Sequence, residues 1–394
     1  MNSEPLLSSM RITIAQGAFL PVPALLGGAV EKVWHALGRE FARIGHQVTH
    51  ISRAHHDLPA ENIDEGVRHV RVRGAETPRA LWRLKLLDLA YSLRVRRVVP
   101  PADVFVTNTF WLPVLERRAS RGRIYVHVAR YPKGQLRFYP ERTILQTVSR
   151  PIRDAILREC PGASARVSLI PYPLSATYLV PRGRPERTIL YTGRLHPEKG
   201  VHLLVDAFIR LARGSLNGWK LRIIGPWKTA QGGGGEDYRQ RLANAALAAE
   251  GLVDLVEPIF DERALVAEYR AAAVFAYPSL AEFGETFGLS VLEAMAAGCA
   301  PVVSSLGCFQ DFVEDRVNGV IFNHRGANPV NELAQALERT VADPDMLERI
   351  RAAAWATARG YALPEIARRF VDDFRNRMEP QPLAGSYVET CLHP

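Results

Sequence analysis

Glu285 and Glu293 stand eight positions apart in EFGETFGLSVLEAMAAGCAPVVSS, residues 282–305. Along a helix that is about 12 Å, too far for the acid and nucleophile of a retaining glycosidase, which need about 5–5.5 Å. The spacing instead suits the two ends of one elongated polar ligand. Glu285 falls in a glycine-containing turn, and the amides of Phe287, Gly288 and Leu289 open the next helix, a ready place for an anion. A second stretch, YTGRLHPEKGVHLLVDAF, residues 191–208, ends a strand at Gly193 and then offers Arg194 and Lys199. Two cations at a strand's C-terminal edge can neutralise a diphosphate. Either alone reads as a solvated loop charge. Together, in the same half of the chain as Glu285, they read as a phosphate site.

Such residues need strands that end side by side. The first candidate strand, RITIAQ, leads into ITIAQGAFLPVPALLGGAV, residues 12–30, which carries no charge. Pro21, Pro23, Gly17, Gly27 and Gly28 break it as a membrane span, and MNSEPLLSSM lacks the basic cluster of a secretion signal. It reads as a buried strand followed by a loop whose glycine pair, Gly27 and Gly28, lets backbone approach phosphate or sugar. Val30, Val33, Trp34, Leu37, Phe41 and Ile44 then recur at helical spacing, and QVTHIS, DVFVTN, RIYVHV and TILQTVS follow as strands. Ser149 before Pro151 reads as a helix N-cap.

PRGRPER, residues 181–187, reads as a linker. Beyond it TILYTGRL, WKLRIIG, LVDLVEP, AVFAYPS and APVVSS alternate with helices again. Strand–helix alternation in both halves predicts an α/β chain with two doubly wound parallel sheets and ligands in the cleft between them. The division expected is residues 1–180 as a first domain, 188–364 as a second, and 365–394 as a final helix crossing back to the first domain plus a tail. Gly232 to Gly235 reads as a flexible surface loop, since no Lys-Ser/Thr helix start follows it.

The whole chain carries +9, but residues 1–180 hold 26 Lys/Arg against 14 Asp/Glu and the remainder 24 against 27. The basic half is thus the one expected to meet an anionic partner. Cys160, Cys299, Cys308 and Cys391 lack metal-ligand spacing and are too sparse for a disulfide framework, which fits a reducing cytoplasm.

These stretches resemble the family-4 retaining glycosyltransferases, whose GT-B architecture is two facing Rossmann-like domains. The glycine pair, the GR…KG segment and two glutamates flanking seven residues that include FG occur in the family's order. The likeness covers most of residues 10–375, and implies that residues 1–180 hold the acceptor and 188–364 the nucleotide sugar. It implies that Glu293 binds ribose hydroxyls, Glu285 hydroxyls of a donor hexose, and Arg194 and Lys199 the diphosphate. Gly27, Gly28, Phe287, Gly288 and Leu289 would supply backbone near the donor. His127 matches a histidine placed near the reacting centre, although a histidine after a buried strand reads by itself as a packed residue. The resemblance further implies no cofactor and no metal, with a nucleoside-diphosphate sugar, foremost a UDP-sugar, as donor. Three departures bear on loop contacts to the donor: Glu31 lies three positions after Gly28, GCFQD brings Gly307, Cys308 and Asp311, and PYPLSATY precedes the linker.

Residues 79–99, RALWRLKLLDLAYSLRVRRVV, contain six Arg/Lys and one Asp, with Leu81, Leu84, Leu87 or Asp88, and Tyr91 on one helical face. Two readings stand: attachment to an anionic membrane surface, or packing on the sheet with a solvated basic face. Arg117, Arg118, Arg121, Arg130, Lys133 and Arg137 add cations expected near the cleft. A lipid-linked or phosphorylated hydroxyl acceptor fits this charge, and no nucleic-acid module accompanies it. The expectation is a retaining, metal-independent hexosyltransferase, cytoplasmic or peripheral on the inner face of the membrane. Its rivals are a sugar-nucleotide epimerase or hydrolase on the same fold, and a non-catalytic sugar-nucleotide-binding protein.

Overall fold

Short runs of β-branched and aromatic residues, covered on both faces, favour parallel strands. In the computed structural model they build two sheets. The structure describes residues 9–378 apart from Arg79. Most of MNSEPLLSSM, Arg79 of the basic segment, and the tail with Cys391 lie outside the described residues.

The first sheet comprises β1 (Arg11–Ala15), β2 (Gln47–Arg53), β3 (Glu61–Asp64), β4 (Val67–Val72), β5 (Val104–Thr107), β6 (Arg123–Val128), β7 (Ile144–Thr147) and β8 (Val167–Leu169). Their order is β3-β4-β2-β1-β5-β6-β7-β8. The second comprises β9 (Glu186–Thr192), β10 (Lys220–Ile224), β11 (Val253–Val256), β12 (Ala272–Tyr277), β13 (Ala300–Ser304) and β14 (Val320–Phe322), ordered β11-β10-β9-β12-β13-β14. Both orders reverse around the first strand, the doubly wound pattern that the alternation predicts. One hairpin departs from it. β3 and β4 run antiparallel around Glu65 and Gly66, both at positive φ (43° and 80°), the geometry of a tight two-residue turn.

Each sheet's core follows from its helices. Val33, Trp34, Leu37 and Phe41 of the first helix (Ala29–Arg43) bury against Ile12 and Ile14 of β1. The last helix (Leu363–Met378) packs on this same domain: Phe370 lies 5.1 Å from Trp34, and Phe374 meets Tyr125 edge-on at 4.9 Å. Asp373 accepts from Tyr125 Oη and Ser168 Oγ, each at 2.7 Å. Burial beside that carboxylate holds the Tyr125 phenol well above its usual range.

The basic helix spans Leu81–Val98, and the expected stripe through Leu84, Leu87, Asp88 and Tyr91 turns inward, with Leu81 alone of that stripe exposed. Asp88, Tyr91, Ser92 and Val95 are buried, whereas Leu81, Trp82, Leu86, Leu93 and Val98 are exposed. Leucines occur on every side of this segment. The Asp88 carboxylate accepts from the amides of Phe110 (3.1 Å) and Trp111 (3.3 Å), and burial lifts its pKa to about 6. Arg118 and Arg96 converge on buried Glu116, so Arg118 extends the basic helix's surface. Among the described residues no helix is long and apolar enough to cross a membrane, and Cys160, Cys299 and Cys308 are free thiols.

Candidate functional site

Lys199 and Glu285 come from loops 86 residues apart, and the fold brings them into one ion pair. Lys199 Nζ donates to Glu285 Oε2 at 2.6 Å, with side chains only 6% and 11% exposed. Lys199 ends a short turn, Pro197–Lys199, which His196 caps. Gly200 follows with φ 66°, and a Cβ there would collide with the carbonyl of Pro278. That close approach locks the Lys199 turn to the loop carrying Glu285, reinforced by Leu280 N donating to Glu198 O at 2.7 Å. The Lys199 ammonium also lies 5.7 Å from the Tyr277 ring, which stacks on Tyr191.

Arg194 is more exposed and is oriented by two acceptors, Glu198 at 2.9 Å and the carbonyl of Gly232 at 2.7 Å. The glycine run 232–235 is therefore a packed support, not the loose surface loop the sequence suggests. Gly234 N bonds Leu195 O, Gly235 N bonds Trp227 O, and a Cβ on Gly233 would collide with Trp227 backbone. Glycine here answers close backbone approach, which composition alone does not distinguish from flexibility.

Glu293 lies on the helix Leu289–Ala297, whose N-cap is Gly288 at φ 92°. A Cβ on Gly288 would strike the Phe309 ring. Val291 N already donates to Gly288 O at 3.0 Å, which leaves the Leu289 and Ser290 amides at the open end of the helix, while Phe287 itself is buried and turned onto Tyr172, 5.5 Å away. Glu293, Lys32, Glu262 and Tyr178 border a cavity of about 550 Å³ between the first helix and the second domain. Tyr269 Oη approaches Glu293 Oε2 at 3.4 Å. Burial raises the Glu293 pKa to about 7, against the opposing pull of Lys32.

Gly27 and Gly28 adopt φ 80° and 109°, backbone that favours glycine. A Cβ on Gly28 would collide with the Glu31 carboxylate, which curls back over the start of the first helix. The helix N-terminus thus has a carboxylate of its own within the chain. Burial raises the Glu31 pKa, and Arg130 counteracts this. His127 is nearly fully buried, its Nδ1 2.5 Å from Gln146 Oε1 and its Nε2 3.1 Å from Tyr172 Oη. Both ring nitrogens are engaged, and burial drops its pKa to about 4. Held this way, His127 offers a substrate no free nitrogen; it fixes the tyrosine that meets Phe287.

Several contacts join the two domains that sequence reasoning does not anticipate. Lys32 pairs with Glu262, and Arg150 gives Asp311 both its backbone N–H (2.7 Å) and its Nε (2.5 Å). Asp311 of the GCFQD segment therefore ties the helix Arg150–Glu159 to the second domain. Ser149 caps that helix by position only, with no side-chain cap bond. No local pattern pairs Lys32 with Glu262 or Arg150 with Asp311, because each pair forms only once both domains exist.

Residues 181–356, which contain Arg194, Lys199, Glu285 and Glu293, match the family model for glycosyl transferases group 1. These residues, rather less than half of the chain, are similar to that family. The D-inositol 3-phosphate glycosyltransferase of Frankia alni is 30% identical over 202 residues, 50% of this chain and 47% of the relative. The chain thus spans about half the length of the curated relatives it matches. The fold as a whole is GT-B. Sucrose-phosphate synthase from Thermosynechococcus elongatus superimposes with TM-score 0.70 at 20% identity, over 93% of this chain and 99% of that one. The Anabaena protein HepE, solved with UDP and glucose, gives 0.68 at 16% identity, over 93% and 99%.

The raised Glu293 pKa makes a test of the group 1 domain without any substrate. Between about pH 4.5 and 7 the folded protein keeps a proton on Glu293 that the unfolded chain releases. Stability therefore falls as pH rises through that window, by roughly 3 kcal/mol at 1.36 kcal/mol per unit. Urea unfolding at pH 4.5 and pH 7.5 should show Glu293→Gln gaining on the wild type by about that amount at the higher pH. Parallel pH profiles for the two proteins would remove the buried-carboxylate assignment.

Proposed function

We propose that this protein is a retaining glycosyltransferase that moves a hexose from a nucleoside-diphosphate sugar, UDP-hexose first among candidates, to a hydroxyl of a polar acceptor. The observation that carries the proposal is the buried Lys199–Glu285 pair beside a strand end, with Arg194 held on the neighbouring turn and Glu293 on the following helix. In this reading Glu293 takes the ribose, Glu285 the hexose hydroxyls, and Arg194 and Lys199 the diphosphate.

The transfer breaks the anomeric C–O bond and leaves the electron pair on the nucleoside diphosphate. Charge grows on that oxygen as the sugar becomes oxocarbenium-like, so fixed cations and helix-end amides stabilise the transition state more than the ground state. Each cation is already oriented by a carboxylate, Lys199 by Glu285 and Arg194 by Glu198, and needs little reorganisation when the donor arrives. The acceptor oxygen forms its bond on the face the diphosphate leaves, and its proton passes to a leaving phosphate oxygen. This route needs neither a protein nucleophile nor a divalent ion. A phosphorylated acceptor, as in the Frankia relative's name, suits the basic first domain. Trp82, Leu86 and Leu93 exposed among Arg83, Lys85 and Arg97 suit an anionic membrane surface.

Thermal shift against UDP-, GDP- and ADP-sugars identifies the donor, since a ligand at 100 times its Kd stabilises the folded state by about 2.7 kcal/mol. Product NMR with that donor should then show the anomeric configuration kept, at a rate indifferent to added Mg2+ or Mn2+. Free sugar with every acceptor supplied, presented in solution or on anionic vesicles, would instead mark a hydrolase; an isomerised nucleotide would mark an epimerase. Inverted product would overturn the retaining course.

A further inference from the structure

Beneath the first helix, three histidines from three elements converge: His35 of that helix, His50 of β2 and His69 of β4. The parallel register sets His50 opposite His69, and their rings stack at 5.6 Å and 17°. The His35 ring stands 5.6 Å from that of His69. His50 and His69 are 0% and 1% exposed. Both nitrogens of each, and Nε2 of His35, are buried with no hydrogen-bond partner. Such orphaned polar atoms cost about 1–3 kcal/mol apiece, and native interiors rarely keep them in clusters. The contrast within the chain is His127, whose two nitrogens are both bonded.

Asp64, at the end of β3, brings a carboxylate to the same place. One ligand atom each from His35, Asp64 and His69 lies within 4.8 Å of the others. We propose that His35, Asp64 and His69 bind a divalent transition-metal ion, zinc by their chemistry, which pins the β3–β4 hairpin to the first helix. Two imidazoles and one carboxylate are a zinc-type donor set, whereas magnesium and calcium prefer oxygen alone. Bonds of about 2.0–2.2 Å around one ion bring ligand atoms roughly 3.4 Å apart, a small rotamer adjustment from the present spacing. Buried without a hydrogen-bond partner, the imidazoles of His50 and His69 favour the neutral form, which is the form that ligates. The nearby guanidiniums have acceptors of their own: Arg39 pairs with Glu65, and Arg71 donates to Asn62 Oδ1 and Pro59 O. Asp64 is exposed, which leaves the fourth position open to water. His50, stacked behind, sets the plane of His69.

This ion would be structural, and its site stands independently of the transfer proposed above. The test uses the untagged full chain, stripped with a chelator, dialysed against Zn2+ and analysed for metal content, with Co2+ absorption as the spectroscopic probe. One Zn2+ per chain, a higher melting temperature and a low-coordinate Co2+ spectrum are expected. Asp64→Asn and His69→Gln should each weaken Zn2+ binding at least ~10-fold. The exposed Asp64→Asn keeps the test intact should His69→Gln fail to fold. A second grouping, His55, His56 and Asp57, serves as the control, and His56→Ala should leave stoichiometry and affinity unchanged. The proposal falls if the stripped chain takes up no Zn2+, if Asp64→Asn binds as tightly as wild type, or if His56→Ala abolishes binding.

Discussion

Lys199→Ala should lower kcat by about 10²–10³-fold, the loss seen when one preorganised donor to a developing anion is removed. The same change should cost about 3–5 kcal/mol of stability, because it strands the Glu285 carboxylate in a nearly closed environment. The two effects separate in a double variant. Lys199→Met with Glu285→Gln removes both charges, so stability should return towards wild type while transfer stays lost. Glu285→Ala alone leaves an unpaired buried ammonium and should lose both properties. Coupled detection of nucleoside-diphosphate release gives kcat, and urea unfolding gives stability. A double variant that is folded and transfers sugar at the wild-type rate would refute the assignment of this pair to the donor sugar and its diphosphate.

Phe374→Ala should destabilise the first domain by about 3–5 kcal/mol, the usual cost of emptying a buried aromatic site. The ring is 1% exposed and sits against Tyr125, Phe41 and Phe370. Because these partners belong to the first domain or the last helix, the loss should be regional. Hydrogen exchange should accelerate in β1 and β6, with β9 and β10 keeping wild-type protection. Equal acceleration in all four strands would mean that the last helix serves both domains alike.

The sequence shows most of the fold because buried parallel strands write themselves as short apolar, β-branched runs, and β1, β6, β12 and β13 are all of that kind. It marks Lys199 and Glu285 because their turns are built from local glycine and proline chemistry, and Glu293 because the helix after Gly288 follows at a fixed offset. What it does not show are pairings between distant segments. Lys32 with Glu262, Arg150 with Asp311, and the cluster of His35, His50 and His69 depend on tertiary register and leave no trace in spacing. In the basic helix the stripe through Leu84, Leu87, Asp88 and Tyr91 is legible and does turn inward, but leucines on its other sides hide how much apolar surface stays exposed. The β3–β4 hairpin hides because its turn uses glutamate where Asn-Gly or Asp-Gly would announce it.

The last helix also constrains how the protein is made. Its phenylalanines complete a core whose other walls, Trp34, Phe41 and Tyr125, are synthesised more than 200 residues earlier. At about 5–20 residues per second a ribosome needs on the order of 10–40 s to close that interval. Throughout it the nascent first domain presents an open aromatic socket, and the whole group 1 domain must emerge before the plug arrives. Domain-by-domain folding in chain order is therefore closed to this protein: the half made first is finished last.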